Sequence, residues 1–357
     1  MIDLRSDTLT VPSSGMLRAM GRAAVGDDNF REDTATNELE EHCAFLFGKE
    51  ASLFTPTGTM SNQLALRVHT RPGDEVVLDE ASHFNTYESA PSADLAGVSL
   101  NTVRTVDGVL TAENITDAVD AKSRDPRYSQ TTMIALENTI NYRAGRVVPL
   151  VALQDVWRFS RKKNMRVHLD GARLFNAMIA SGTPAHEYGG ISDTLSVCFA
   201  KGLGAPFGSI LAGSRDEIEE ARYYRKSYGG AMHQSGHLAA AALYALENNV
   251  SRLDEDHALA RRIFDLVQQA DIDGIAIDEV QSNIVIIDLS ALAISAEAVV
   301  SRMSEDGVLG MAISRHRVRF VTHLGVQPES SGVVAESFRT AVCELDVTRK
   351  GKLSCVG

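Results

Sequence analysis

The sequence predicts an α/β protein with a large domain, built on a mostly parallel seven-stranded sheet, and a smaller C-terminal α+β domain. Short β-rich runs alternate with helical patterns, which is typical of strands joined by crossover helices. Several of these runs are apolar without strict alternation, as expected when helices cover both faces of a sheet. The pattern changes after an alanine-rich helix at 238–246, which indicates a second domain.

Seven short segments are predicted to be the strands of the large sheet. They are 51–55, 75–79, 98–103, 133–136, 166–170, 195–199 and 209–212. In such sheets ligands bind beyond the carboxyl ends of the strands. Polar residues that follow a strand are therefore the candidates for function.

The last third of the chain has a different pattern. A charged amphipathic helix near 254–270 is followed by strands around 283–288 and 317–322. We expect residues 1–247 to form an N-terminal segment and the large domain, and residues 248–357 to form the small domain. The length of 357 residues fits about two domains at roughly 150 residues each.

Composition excludes several classes of protein. The formal net charge of −12 argues against a nucleic-acid partner, because phosphate contacts need clustered Lys and Arg. No apolar run approaches the ~18 residues of a membrane span, and the acidic N-terminal segment does not resemble a secretory signal. The widely spaced Cys43, Cys198, Cys343 and Cys355 form no C-x-x-C pair, so we expect reduced thiols, no metal site and a cytoplasmic location.

Asp170 ends a predicted buried strand and precedes a helical pattern over 172–180. An ordinary N-cap aspartate is one interpretation. At the carboxyl end of a strand, however, the side chain would point into the ligand crevice and could keep a pyridine nitrogen protonated. A protonated pyridine ring is the electron sink that pyridoxal phosphate (PLP) chemistry needs.

Lys201 follows the strand at 195–199 and is flanked by Gly202 and Gly204. Glycines let the backbone approach a ligand closely, and a desolvated lysine has a lowered pKa that makes its amine nucleophilic towards an aldehyde. Lys201 is therefore the candidate for a Schiff base with PLP. Taken alone, it could also be a solvated loop lysine.

Two further elements complete a possible cofactor site. The turn at Gly58 and Thr59 leads from a strand into a helix, where backbone N–H groups and the helix dipole could hold a phosphate. His83 follows the strand at 75–79, so its ring could stack on a flat cofactor, although a single histidine is more often a structural hydrogen-bonding group.

These residues occur in the chain order of fold type I PLP enzymes, and the chain from residue 2 to residue 323 resembles the threonine aldolase family of PLP lyases. The motifs that carry the resemblance are VGDD (25–28), ED (32–33), NELE (37–40), GTM (58–60), LENT (136–139), VHLDGAR (167–173) and KGLGAP (201–206). The resemblance implies the roles given above for Lys201, Asp170, His83 and the Gly58 turn.

The resemblance also implies how the substrate is held. Ser6, Arg173 and Arg319 would bind the substrate carboxylate, for which the planar guanidinium group is suited, and Arg173 counts with the cofactor site as well. For the arginines, surface ion pairing is the alternative. Family members are homodimers or homotetramers with sites shared between subunits.

The chain departs from the family at several positions. Ile140 stands where the family usually has a histidine near the β-hydroxyl of the substrate, and isoleucine cannot carry a proton. Arg31 replaces part of a usual Tyr-Gly pair and is either a substrate contact or a solvated loop residue. His233 stands where an arginine is usual and Ala200 where a serine is common, and both changes touch expected phosphate ligands.

The resemblance predicts an aldolase that cleaves the Cα–Cβ bond of a β-hydroxy-α-amino acid to glycine and an aldehyde. An apolar Ile140 favours a bulky apolar β-substituent, as in phenylserine, although Arg31 and Asn85 could instead select a polar one. The alternatives are racemisation, β-elimination or transfer of the glycine unit on the same scaffold, and a non-catalytic PLP-binding protein.

Overall fold

The computed structural model describes residues 1–88, 90–120 and 127–346, so Cys355 lies outside the described residues. The strands of the described chain are β1 (Ile2–Asp3), β2 (Ala51–Thr55), β3 (Glu75–Asp79), β4 (Ser99–Val103), β5 (Thr131–Glu137), β6 (Arg166–Gly171), β7 (Thr194–Cys198), β8 (Ser209–Gly213), β9 (Ala276–Ile277), β10 (Ile284–Asp288), β11 (Val308–Leu309), β12 (Met311–Ser314) and β13 (Arg317–Val321).

The α-helices of the described chain are α1 (Ser14–Arg22), α2 (Thr34–Phe47), α3 (Gly58–His69), α4 (His83–Thr86), α5 (Pro91–Asp94), α6 (Ala112–Asp120), α7 (Leu150–Lys163), α8 (Leu174–Ser181), α9 (Ala185–Gly190), α10 (Arg215–Ser227), α11 (Gly236–Asn248), α12 (Leu253–Gln269), α13 (Ala296–Glu305) and α14 (Ser330–Leu345). Short 3₁₀ helices lie at Asp7–Leu9, Asp28–Phe30 and Asn141–Arg143. Within the described residues, no helix is both long enough and apolar enough to span a membrane.

The described residues fall into two compact units. The central unit comprises Pro12–Tyr142 and Val147–Val250, and the terminal unit comprises Met1–Val11, Arg143–Arg146 and the described residues from Ser251 onward. The predicted grouping of residues 1–11 with the large domain needs correction: these residues belong to the terminal unit, because β1 pairs in parallel with β11.

The central unit contains a seven-stranded sheet in the order β2-β8-β7-β6-β5-β3-β4. The strands β7, β6, β5, β3 and β4 pair in parallel, and β8 is antiparallel to both of its neighbours. Every residue of β3 and β8 is buried, so both faces of the sheet are covered there. The predicted fold class is confirmed.

The predicted bounds of the elements need small corrections. The strand predicted at 133–136 extends over Thr131–Glu137, and that predicted at 195–199 is Thr194–Cys198. The helix predicted from 172 begins at Leu174, because Arg173 has the non-helical φ of −126° and forms the N-cap.

The terminal unit contains an antiparallel sheet in the order β12-β13-β10-β9. The helices α12, α13 and α14 pack on it and on each other, around a core that includes Ile263, Val285, Val299, Phe320 and Phe338. Of the residues with expected roles, this unit holds Ser6 and Arg319.

Candidate active site

Four of the expected site residues lie at one edge of the large sheet. Asp170 is the penultimate residue of β6, Lys201 follows β7, and His83 follows β3, and these strands run in the same direction. Two antiparallel pairings, β2 with β8 and β8 with β7, give β2 that direction too. Gly58 after β2 therefore belongs to the same edge.

The carboxylate of Asp170 is buried and held by two donors. Its Oδ1 accepts the backbone N–H of Ala172 at 2.9 Å, and its Oδ2 accepts the Asn62 Nδ2–H at 2.8 Å. The N-cap of α8 is Arg173, so the interpretation of Asp170 as an N-cap is wrong. The side chain is a fixed, buried acceptor at the carboxyl end of a central strand.

His83 lies beside this carboxylate, together with Glu88. Its Nδ1 is 2.9 Å from Glu88 Oε1, and one ligand atom each from His83, Glu88 and Asp170 lie within 4.8 Å of one another. Burial lowers the pKa of His83, but the hydrogen bond to Glu88 and the charges of Asp170 and Glu88 outweigh it and raise the pKa. The positive charge of Lys201 acts in the opposite direction on the same pKa.

Asn62 joins the two carboxylates. Its Nδ2 donates to Glu88 Oε1 and to Asp170 Oδ2, each at 2.8 Å, and Gln63 Nε2 donates to Glu88 Oε2 at 2.6 Å. Glu88 is therefore held by Asn62, Gln63 and His83.

Glu137 ties together two backbone segments around the site. Its Oε2 accepts the backbone N–H of His83 at 2.8 Å, and its Oε1 accepts that of Asn141 at 2.9 Å. Burial, followed by the negative charge of Asp170, raises the pKa of Glu137 to about 7. Glu137 therefore changes charge near neutral pH, in contact with the residue expected to stack on the cofactor.

The N-terminus of α3 has space for an anion. Thr57 caps the helix by accepting the backbone N–H of Met60, and a Cβ placed on Gly58 would meet nothing closer than Ser209 Oγ at 4.0 Å. First-turn N–H groups and the helix dipole favour a phosphate at such a position.

Together these residues fit PLP. A buried carboxylate suits a pyridinium nitrogen, a lysine lies at the end of the neighbouring strand, an imidazole ring lies beside the carboxylate, and a helix N-terminus with open space suits the phosphate.

The structure places the remaining expected residues as follows. Arg173 is buried and its Nη1 donates to Asn141 Oδ1 at 3.2 Å. In the terminal unit, Ser6 caps the 3₁₀ helix Asp7–Leu9, and Arg319 is buried on β13 with its Nη2 donating to the carbonyl of Arg5 at 3.2 Å.

Arg31 and His233 make contacts at the surface of the central unit. The side chain of Arg31 is 53% exposed and pairs with Glu219, and that of His233 is 78% exposed with its Nδ1 2.8 Å from Asp27 Oδ2. Their predicted contacts with substrate and phosphate stay predictions.

Ile140 is buried, with only 2% of its surface exposed. It lines a small cavity of about 20 Å³ together with Leu110, Val148, Leu153 and Glu137. The side chain packs into the interior, and its predicted contact with the β-substituent stays a prediction.

Sequence analysis missed three residues of the cluster. Glu137 stands in the LENT motif (136–139) without a predicted role, and neither Asn62 nor Glu88 has one. Asn62 lies one helical turn after Gly58, and Glu88 lies five residues after His83, so both spacings offered a weak signal.

Comparisons with known proteins agree with this geometry. The family model described as "Beta-eliminating lyase" matches residues 3–290. The low specificity L-threonine aldolase of Escherichia coli K12 is 40% identical over 340 residues, covering 95% of this chain and 98% of that protein, and low-specificity L-threonine aldolase 1 of Arabidopsis thaliana is 38% identical over 329 residues, covering 90% and 91%.

Among solved structures, a Leishmania major threonine aldolase superposes with a TM-score of 0.82 at 18% identity, covering 96% of this chain and all of that one. At this identity the likeness supports the fold alone. The family model and the extent of identity to the curated relatives together show that the chain belongs to the threonine aldolase family, whose members are PLP-dependent lyases.

Proposed function

We propose that this protein cleaves the Cα–Cβ bond of a β-hydroxy-α-amino acid and releases glycine and an aldehyde. The observation that carries the proposal is the hydrogen-bonded cluster of the buried Asp170, Asn62 and Glu88 with the half-buried His83, at the sheet edge that also bears Lys201. The names of the relatives, L-threonine aldolases, add a threonine-type substrate.

Each residue of the site has one part in this proposal. Lys201 would hold PLP through its amine, Asp170 would accept a hydrogen bond from the protonated ring nitrogen, and His83 would lie against the ring. When bound, PLP supplies an acceptor for the electron pair of the breaking bond. Arg173 would bind the substrate carboxylate, as Ser6 and Arg319 are also expected to do.

The proton of the β-hydroxyl needs an acceptor other than residue 140. Ile140 cannot carry a proton, so water or another side chain must take it, and general-base help is worth about 10²–10⁴ in rate. Because isoleucine replaces the usual histidine at residue 140, a second function stays an alternative, in which the same residues catalyse racemisation, β-elimination or transfer of the glycine unit.

The finer proposal is a preference for an aryl β-substituent. Its support is the apolar Ile140 together with two tyrosines beside His83: Tyr87 stacks on His83 with centroids 5.6 Å apart, and Tyr142 stacks on Tyr87 at 5.2 Å. Stacked rings favour a further aromatic group over a methyl group.

Two measurements test the proposed function. The Lys201→Ala variant should lose both the visible absorbance of bound PLP and turnover, while Lys226→Ala, at an exposed lysine, should keep both. Borohydride reduction of the wild type should attach PLP covalently to the peptide that contains residue 201. A modified peptide elsewhere in the chain would contradict the assignment of Lys201 as the PLP-binding lysine.

A panel of β-hydroxy amino acids separates the aldolase from its alternatives. The aldolase releases glycine and the matching aldehyde in equal amounts, a racemase changes only the stereochemistry, and a transferase needs a second aldehyde. Uptake of PLP without turnover of any member of the panel would leave only a binding protein.

A further inference from the structure

A buried chain of hydrogen bonds runs between helix α3 and the neighbouring strands β6 and β7. His69 Nε2 and His168 Nδ1 each lie 2.9 Å from Thr194 Oγ1, and His168 Nε2 lies 3.1 Å from Asn62 Oδ1. We call these four residues, His69, Thr194, His168 and Asn62, the buried chain. The side chains of all four are almost completely buried.

The orientation of every member of the buried chain follows from Asn62. Both N–H groups of its amide donate to carboxylates, so the free end of the amide is the acceptor Oδ1. This oxygen accepts the hydroxyl of Ser196 at 2.9 Å and faces Nε2 of His168. His168 therefore carries its proton on Nε2, and its Nδ1 accepts from Thr194. The Thr194 oxygen is then left to accept the Nε2–H of His69.

Both histidines of the buried chain are neutral near physiological pH. Burial lowers the pKa of His168 to about 3 and that of His69 to about 4. A neutral imidazole has one donor and one acceptor, so each ring transmits a single orientation to the next residue. The buried chain thus adds no charge next to Asp170 while fixing the amide that contacts it.

We infer that the buried chain is a positioning device for the cofactor site: it fixes the amide of Asn62, and Asn62 in turn holds Asp170 and Glu88, and through Glu88 the ring of His83. Asn62, His168, Thr194 and His69 are positioning residues. If Asn62 turned over, its oxygen would face two carboxylates, and Asp170 would lose one of its two hydrogen-bond donors.

The inference rests on the proposed function, because it assigns a task to residues behind the PLP site. It goes further by naming residues that touch neither the cofactor nor the substrate. Its consequence is specific: loss of the buried chain should weaken the hold of Asp170 on the protonated ring nitrogen without touching the carboxylate-binding arginines.

The test uses the holoenzyme and a pair of isosteric variants. Thr194→Val breaks the buried chain at its middle. Thr70→Val removes a buried hydroxyl that donates to the carbonyl of Leu66 at 2.7 Å and is not part of the buried chain. We expect Thr194→Val to lower kcat about two- to tenfold with KM unchanged, as for the loss of one neutral hydrogen bond. The visible absorbance of bound PLP should move towards that of the unprotonated ring.

The control and a rescue separate positioning from general stability. Thr70→Val is expected to keep the wild-type spectrum and kcat even where its melting temperature falls. His168→Gln retains a donor near the position of Nε2 and should keep more of the wild-type spectrum than His168→Leu, which has none. If His168→Leu does not fold, Thr194→Val decides the matter alone.

Two outcomes contradict the inference in different ways. If the wild type binds PLP but folded Thr194→Val shows the wild-type spectrum and kcat, the buried chain has no positioning role and the proposed function stands. If the wild type takes up no PLP, the proposed function fails and this inference fails with it.

Discussion

Three carboxyl groups lie near His83, Asp170 and Glu88 beside its imidazole and Glu137 at its backbone N–H, and their environments differ. Asp170 is held by two N–H donors and Glu88 by Asn62, Gln63 and His83, whereas Glu137 receives two backbone N–H groups and lies buried near the charge of Asp170. A buried carboxyl with a like charge nearby resists ionisation. Glu137 is accordingly about half protonated near neutral pH.

The raised pKa of Glu137 predicts a pH-dependent stability. The pKa is raised from 4.5 to about 7 in the folded protein, so the folded state binds this proton more tightly than the unfolded chain does. The contribution to stability is fully present below about pH 4.5 and is lost as the pH rises through about 7, amounting to on the order of 3 kcal/mol. Glu137→Gln, which does not ionise, should lack this loss.

Urea unfolding of the wild type and Glu137→Gln at about pH 5 and about pH 8 measures the effect. The stability of the variant relative to the wild type should increase with pH. Asp256, whose pKa is also raised, titrates in both proteins and cancels in the difference. Parallel pH profiles for the two proteins would mean that Glu137 does not ionise in this range.

The apolar side chain of Ile140 leads to a prediction about substrate preference. Burying a Phe-sized group gains roughly 1.5–3 kcal/mol, and a methyl group gains well under half of that, so an apolar surrounding favours phenylserine over threonine. Ile140→His would place a polar ring among Leu110, Val148 and Leu153 and should shift the ratio of kcat/KM values towards threonine. Ile134→Val, a conservative change at another buried isoleucine, should leave the ratio unchanged.

The measured quantity is kcat/KM for phenylserine and for threonine in each protein. A wild type that prefers threonine would contradict the aryl preference. No change of the ratio in Ile140→His would show that this buried side chain does not reach the β-substituent.

At the scale of elements, the strands were predictable and the contacts between elements were not. Apolar runs ending in Asp79 and Asp170 marked β3 and β6 to within one residue. The role of Glu88 depends on its contacts with α3, 25 and 26 residues away in sequence, and His233 meets Asp27 across 206 residues. The packing of α3 and of the loops brings these pairs together, so no regular spacing in the sequence could predict them.

The N-terminus of α3 gives a prediction that separates binding from folding. Gly58→Ala should leave stability near that of the wild type, because a Cβ there meets only Ser209 Oγ at 4.0 Å. The methyl group would occupy the space proposed for the phosphate, so PLP should bind at least about tenfold more weakly, or about 1.4 kcal/mol. Gly21→Ala on α1, where a Cβ meets nothing within 4 Å, is the control.

Titration of the apoprotein with PLP and thermal unfolding of each variant supply the two readouts. Weakened binding with an unchanged melting temperature in Gly58→Ala is the expected result. Wild-type affinity for PLP in this variant would contradict the proposed phosphate position at the N-terminus of α3.

At the scale of the whole molecule, two expected site residues are surface residues of the chain. The side chains of Arg31 and His233 are mostly exposed and contact Glu219 and Asp27. An exposed residue can contact the site of a partner chain, and in a two-fold symmetric dimer each chain would then complete the other's site. This arrangement supports the proposal of a homodimer or homotetramer with shared sites.

Mixing two variants tests whether sites are shared. If His233 contacts the phosphate in the partner's site, His233→Ala weakens PLP binding, and Lys201→Ala abolishes it. In a mixed dimer of the two, one site carries both changes and the other carries neither. Random exchange at equal amounts should therefore restore about a quarter of the wild-type sites.

Exchange between Lys201→Ala and His186→Ala, at another exposed histidine, is the control. In this mixture every site with an intact lysine binds PLP normally. About half of the sites are therefore functional whether or not the sites are shared. Light scattering that finds a single chain in solution, or mixed dimers in which every lysine-bearing site binds PLP as weakly as His233→Ala, would contradict the shared site.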